Sequence, residues 1–409
     1  MIQAKAYWKN YSFLIVLAFF SFLFLASLID DKAMGYDVSL FVKWAQAIKM
    51  NGISLIYQPE NTVDYLPGFL YVLQIYTWFV NDVNAIPQTI HYVKLVPLFF
   101  EILSILVMCS YFKTKIQQTF FFLLGVFNVA YFYNTMAWFQ IDGWVASMMF
   151  FSVFAALNNR LFWSLFLFML AVNIKFQAII VLPVLGLFWL SQIKTFKQLL
   201  TAILIVVVTE LLILSPFIVN GSALVVFQNV FNTYNLFPYV SLNARNFWML
   251  IVENPRFLDD SSLLGFLPYK TWGLILFSVS SLCVIIPLVM VLFKQRINDN
   301  AKVQMVLLSS VLACFCFFYF NTQMHERYIH YAFPFVMYYS FRFKTLGLYL
   351  VFSIASFLNL ESLLFNLNYW DANSILMSHR FITLLFTLVL ALFSLKWFQL
   401  VKSTLINKA

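Results

Sequence analysis

The sequence predicts an all-α polytopic membrane protein. It reads as one transmembrane domain over residues 1–409, a bundle of about twelve membrane helices with juxtamembrane helices on its outer face. Hydrophobic residues make up 63% of the chain, aromatic residues 20% and charged residues only 10%, and the mean hydropathy is +0.86. A soluble domain carries about a quarter charged residues, so a water-soluble enzyme, a disordered chain and a coiled coil are excluded. The apolar residues also come in unbroken runs. Strands of an outer-membrane barrel would alternate apolar with polar, so helices must satisfy the backbone in hydrocarbon.

The first run, 11–29, follows Lys5 and Lys9. It is long for a signal-peptide core and lacks a convincing cleavage site, which predicts a retained signal anchor. Further runs able to cross about 30 Å of hydrocarbon lie at 93–112, 119–136, 143–158, 199–219, 271–293, 303–320, 328–342, 345–363 and 380–400. The stretch 161–190 is too long for one helix and is interrupted by Asn173, Lys175 and Gln177, so it divides into two short crossings. The segment 67–80 is apolar but short. If it does not cross and the N-terminus is cytoplasmic, fifteen of the 25 lysines and arginines face inward; if it crosses, nine do. The excess of basic residues on cytoplasmic loops selects the first arrangement. It makes 67–80 a juxtamembrane or half-inserted outer helix and places both termini inside.

The net charge of +9 does not mark a nucleic-acid binder, because the basic residues sit at the ends of apolar runs and form no stripe. Cys109, Cys283, Cys314 and Cys316 lie in apolar segments, which gives neither a disulfide framework nor a metal site. Two long loops, 30–92 and 220–270, fall outside. The loop acids from Asp30 to Asp371 fall on that face too, except Asp299; Glu101 and Glu210 lie within helices. Any chemistry is therefore expected on the extracytoplasmic face. No internal repeat is visible.

Four outer clusters carry polar residues worth weighing. In the first loop, Phe41, Trp44, Ala45 and Ile48 recur at helical spacing behind Asp37, which reads as an amphipathic helix. Capping alone would also explain Asp37. The loop continues to Asp64-Tyr65-Leu66-Pro67, where Pro67 suits the first position of a helix. The second cluster is Trp138-Phe139-Gln140-Ile141-Asp142. An aromatic belt explains the tryptophan, less readily the Gln140–Asp142 pair. The third is Gln323-Met324-His325-Glu326-Arg327-Tyr328, where three ionisable residues adjoin a membrane boundary. A solvated turn is the simpler account; phosphate binding by Arg327 and His325 is the other. The fourth is Asn243-Ala244-Arg245-Asn246-Phe247-Trp248. Lys175 adds a further cation, although a lone lysine at that depth usually snorkels.

Asp37, Trp44, Tyr57 and Asp64-Tyr65-Leu66-Pro67 together resemble the first luminal loop of GT-C fold membrane glycosyltransferases. The likeness is closest to the glucosyltransferases that extend lipid-linked oligosaccharide for N-glycosylation and to their prokaryotic, mannosyltransferase-like relatives. Those usually show Asp-Tyr-Pro-Pro, whereas Leu66 stands here in place of the first proline. Trp138 to Asp142, Met324 to Tyr328, and Asn243 to Trp248 are similar to later outer-loop motifs of that family, in the same order. The resemblance spans roughly residues 11–330.

The resemblance implies transfer of a hexose from a polyprenyl-phosphate donor to an acceptor hydroxyl on a lipid-linked, glycan or protein acceptor. Asp37 would be the general base. Trp44, Asp64, Tyr65, Gln140, Asp142, Lys175, Arg245, Asn246, His325, Glu326 and Arg327 would bind the substrates. Many members of that family work without metal, others with an acidic pair and a divalent ion; Asp37 and Asp142 would be that pair. Expected surroundings are membrane lipids and the plasma membrane of a bacterium. The readings in competition are a multi-pass transporter, a lipid-linked glycan polymerase or flippase, and a structural assembly subunit.

Overall fold

A computed structural model describes residues 11–31, 35–232, 236–293, 298–367 and 374–406. Lys5, Lys9, Lys294, Arg296, Asp371 and Lys408, which enter the charge reading, lie outside the described residues. The fold is all-α, with one two-residue hairpin pairing Leu263–Leu264 with Leu267–Pro268. Among the described residues, six helical stretches are long and apolar enough to cross a membrane: Val83–Cys109, Phe196–Val219, Tyr269–Phe293, Asp299–Phe320, Leu346–Leu364 and His379–Leu405. A seventh results if Lys115–Val126 and Val129–Trp138, bent by 47°, count as one. The protein is a polytopic helical membrane protein.

Every predicted crossing is helical, but several are short. Tyr11–Ser27 has 17 residues, Asp142–Leu157 has 16, Leu161–Ile174 has 14 and Phe333–Arg342 has 10. The predicted run 328–342 begins as a 3₁₀ segment, Glu326–Ala332, before turning α-helical. Mean hydropathy over a window does not reveal such breaks, because it averages their few polar residues with the apolar ones on either side. Pro67–Trp78 is a helix of 12 residues with Pro67 at its start, as expected. It rises about 18 Å, well short of the hydrocarbon thickness.

Packing separates an inner from an outer set. Of the best apolar window in Asp299–Phe320, 78% is buried, against 22% in Phe196–Val219 and 17% in Tyr269–Phe293. The last two therefore present their apolar faces outward, as lipid contact requires. Asp142–Leu157 is buried along nearly its whole length, between Leu95–Cys109 and Leu161–Ile174.

Helix length positions the site. Asp142–Leu157 and Leu161–Ile174 are joined through Asn158–Arg160, so both start from one level. They rise about 24 Å and 21 Å. Both free ends, Asp142 and Lys175, therefore stop at similar heights inside the bundle. Above them lies Gly35–Asn51, whose buried face is Phe41, Trp44, Ala45, Ala47 and Ile48, the predicted stripe. Pro67–Trp78 packs on that helix. The second long loop is stitched to 321–325: Leu242 N donates to Met324 O (2.9 Å), Gln323 N to Tyr239 O (3.0 Å), and Asp260 accepts from Thr322 (2.7 Å) and Gln323 (2.8 Å).

Candidate active site

Asp37 lies in the first turn of Gly35–Asn51, yet its carboxylate is engaged across the chain. Its Oδ2 accepts the Trp138 indole N–H (3.0 Å) and the Gln140 amide (2.8 Å), and Arg327 Nη1 stands 3.9 Å away. Its side chain is 18% exposed, whereas Asp142 is 0% and Lys175 4% exposed. Asp37 is thus more open to an incoming molecule than Asp142 and Lys175, which are enclosed.

The segment holding Asp37 is irregular. Asn134–Trp138 closes as a π-turn, and Phe139 follows in the left-handed region at φ 64°. Such a conformation costs a bulky residue on the order of 1–3 kcal/mol and persists only where the surroundings enforce it. Here Phe139 is 1% exposed and packs edge-on to Phe41, while Gln140 N donates to Asn134 O (3.1 Å). The reversal turns Trp138 and Gln140 toward Asp37.

Asp142 does not act as a simple cap. It is the first residue of its helix, and its Oδ1 accepts from Lys175 Nζ (2.7 Å) and the Tyr331 hydroxyl (2.5 Å). Its Oδ2 faces Asn134 Nδ2 (3.5 Å) and Arg327 Nε (3.7 Å). Lys175 points inward and does not snorkel; its ammonium lies 5.3 Å from the centre of the Tyr65 ring and 5.5 Å from that of Tyr328. A buried ion pair needs such extra partners, because desolvation consumes much of the Coulombic gain.

Arg327 joins the two carboxylates. Besides Asp37 and Asp142 it contacts Glu326 Oε1 (3.2 Å) and His325 Nδ1 (3.4 Å), and its guanidinium lies over Trp138 at 5.9 Å. Its Nε is buried without a hydrogen-bond partner among the described residues. The 3₁₀ segment places residues three apart on one face, which stacks Tyr328 on Tyr331 (5.8 Å). Asp64, just before Pro67–Trp78, has Oδ1 buried and unpartnered. Burial raises its pKa, opposed by the charges of Lys175 and Arg327.

The structure thus brings together Asp37, Asp64, Tyr65, Gln140, Asp142, Lys175, His325, Glu326 and Arg327. Expectations for four residues need correction. Trp44 is 0% exposed and donates to Asn61 O (3.0 Å), so it forms core behind Tyr65 rather than a binding surface. Asn246 is spent on a helix end, donating to Phe318 O (3.2 Å) and Asn321 O (3.3 Å); Arg245 donates to Asn243 O (3.0 Å) and Ser362 (3.1 Å). Both hold the second loop in place. His325 is not a cation: burial first, then Arg327 and Lys175, push its pKa well below the usual value. Sequence reasoning missed Tyr331 and Asn134, which belong to short polar pairs, His330–Tyr331 and Asn134–Thr135, inside apolar runs.

Among the described residues, no group of three or more His, Cys, Asp and Glu side chains is arranged to hold a metal ion. Fold and site together define a polytopic helical membrane protein with an ionisable cluster recessed at one end of its bundle. No family model matches the chain, and no curated protein matches it.

Proposed function

We propose that the protein is an integral-membrane glycosyltransferase of the GT-C type, moving a hexose from a polyprenyl-phosphate donor to an acceptor hydroxyl. The observation that carries this reading is the convergence of Asp37, Gln140, Asp142, Lys175 and Arg327, from four distant segments, on one recess. Asp37 takes the hydroxyl proton as the acceptor oxygen bonds to the anomeric carbon and the bond from that carbon to the phosphate oxygen breaks. Both hydrogen bonds to Asp37 fall on Oδ2, which leaves Oδ1 for the hydroxyl. Arg327, which stands 3.9 Å from Asp37, and Lys175 offset the charge on the departing phosphate. The acceptor is a lipid-linked, glycan or protein hydroxyl.

The two acids that a divalent ion would use, Asp37 and Asp142, each lie within ion-pair distance of Arg327. The chain supplies its own cation there, and the reading needs no metal. An apolar groove of about 710 Å³, lined by Val72, Tyr76, Phe79, Val93 and Val96 among others, runs beside Pro67–Trp78, the helix that Asp64 precedes. Its dimensions and lining suit a polyprenyl tail. Charge asymmetry supports an extracytoplasmic recess with both termini cytoplasmic; the reading takes twelve crossings and a bacterial plasma membrane.

A second reading, a transporter or flippase, is favoured by Glu101 and His330, ionisable groups inside the bundle. One experiment separates the two. Purified protein is incubated with a panel of polyprenyl-phosphate hexoses and scored for carrier release. The expected result is release with at least one donor, lost in Asp37→Asn at normal expression. Full transfer by that variant would remove Asp37 as the base; translocation in vesicles without release would favour the transporter.

A further inference from the structure

Behind the Asp37–Asp142 recess lies a second buried acid–base pair. Glu101, on Leu95–Cys109, is 0% exposed, and His330, in the 3₁₀ segment, is 2% exposed. His330 Nε2 lies 3.6 Å from Glu101 Oε1, which also accepts from Thr135 (2.9 Å). The imidazole is stacked on Tyr131 at 5.5 Å with 3° between the planes, and the Tyr131 hydroxyl meets Ser104 (2.8 Å) and Ser147 (3.4 Å). Glu101 Oε2 and His330 Nε2 are buried with no hydrogen-bond partner among the described residues. Leaving such atoms unsatisfied is costly, so packing alone does not account for a carboxylate and an imidazole here.

Two members of this cluster adjoin residues at Asp142 in sequence. Thr135 follows Asn134, which donates to Asp142 Oδ2; His330 precedes Tyr331, which donates to Asp142 Oδ1. Glu101 also lies against the backbone beside Asp142 itself. A Cβ on Gly143 would fall 1.9 Å from Glu101 Oε1, so any larger residue there must push the Glu101 carboxyl aside. Glu101 therefore touches three of the segments around Asp142: the turn at Asn134–Trp138, the 3₁₀ segment and the start of the helix that Asp142 opens.

We propose that Glu101 and His330 are the positioning pair of the recess, holding Asp142 in register with Lys175 and Arg327. The link to catalysis rests on the transferase reading above; the positioning itself does not. Neither residue touches the recess directly. A misplacement on the scale of 1 Å is enough to lower a rate by about a hundredfold.

The test uses the full-length protein in detergent, with Glu101→Gln, which keeps the shape and replaces the carboxyl by an amide, and Gly143→Ala, which displaces the carboxyl and leaves its chemistry unchanged. The first readout is transfer from whichever polyprenyl-phosphate hexose the wild type uses. The expected result is a fall in kcat of about a hundredfold, an essentially unchanged donor KM, and a melting temperature in Glu101→Gln close to that of the wild type. The second readout needs no turnover: labelling of the Lys175 amine by a small amine-reactive reagent, read by mass spectrometry. Lys175 is expected to be protected in the wild type and several-fold more reactive in both variants, with Lys43 labelling as an unchanged control. Wild-type kcat and wild-type labelling in Glu101→Gln overturn the proposal, as does a kcat loss that merely tracks loss of folded protein. A wild type that transfers nothing, while the variants expose Lys175, sinks the transferase reading and leaves the positioning role standing.

Discussion

His325 and Lys175 show how neighbours redefine a residue's chemistry. His325 carries a depressed pKa because burial and two adjacent cations disfavour a third charge. The folded chain therefore refuses a proton that the unfolded chain accepts below about pH 6.5. Stability attributable to this residue is present above that value and falls as pH drops through and below it. In His325→Asn, the loss of melting temperature between pH 7.5 and pH 5 is expected to be smaller than in the wild type; an equal loss would contradict the assignment. Lys175 is paired with Asp142 at 2.7 Å in a closed interior. Lys175→Met leaves that carboxylate without its nearest counter-charge and is expected to destabilise the protein by about 3–5 kcal/mol, measured by thermal or denaturant unfolding. The sequence marked both residues as functional candidates from residue type and local pattern. It did not show which would be charged, since that depends on groups up to 150 positions away.

At the scale of elements, the recess exists because helices stop early. Pro67–Trp78 approaches Leu161–Ile174 so closely that a Cβ on Gly68 would lie 2.6 Å from Asn173 O. Backbone cannot yield as a flexible side chain can. Gly68→Ala is expected to cost about 1–3 kcal/mol and to shift Asp64 and Tyr65 away from Lys175, lowering both melting temperature and transfer. The amphipathic stripe of Gly35–Asn51 and the proline start of Pro67–Trp78 were legible in sequence, because spacing and backbone chemistry are local signals. The π-turn at Asn134–Trp138 and the reversal at Phe139 were not. Those residues have no turn-forming composition and are held by packing against Phe41.

At the scale of the whole molecule, the arrangement in the membrane follows from helix length and charge together. A helix of 12 residues rises about 18 Å and cannot cross about 30 Å of hydrocarbon unaided. Cysteines at Glu60 and Asn81, which bracket Pro67–Trp78, are therefore expected to label with an impermeant reagent from the same side, and a cysteine at Lys197 only from the other. Labelling of Glu60→Cys and Asn81→Cys from opposite sides would mean that the segment crosses and that the charge-based orientation fails.

The all-α membrane class was determined by the sequence alone. Burying so many apolar residues in hydrocarbon leaves the backbone no partners but its own, and that requirement acts on composition and run length without reference to neighbours. The clusters worth inspecting were also visible there, as polar residues that hydrocarbon makes costly. Tertiary structure alone decided which of them meet. Trp44 and Asn246 turned inward to structural partners, while Asp37 and Arg327, 290 positions apart, came within 3.9 Å. It also gave Glu101 its neighbours: a lone acid in an apolar run carries no meaning until Gly143, Thr135 and His330 close around it.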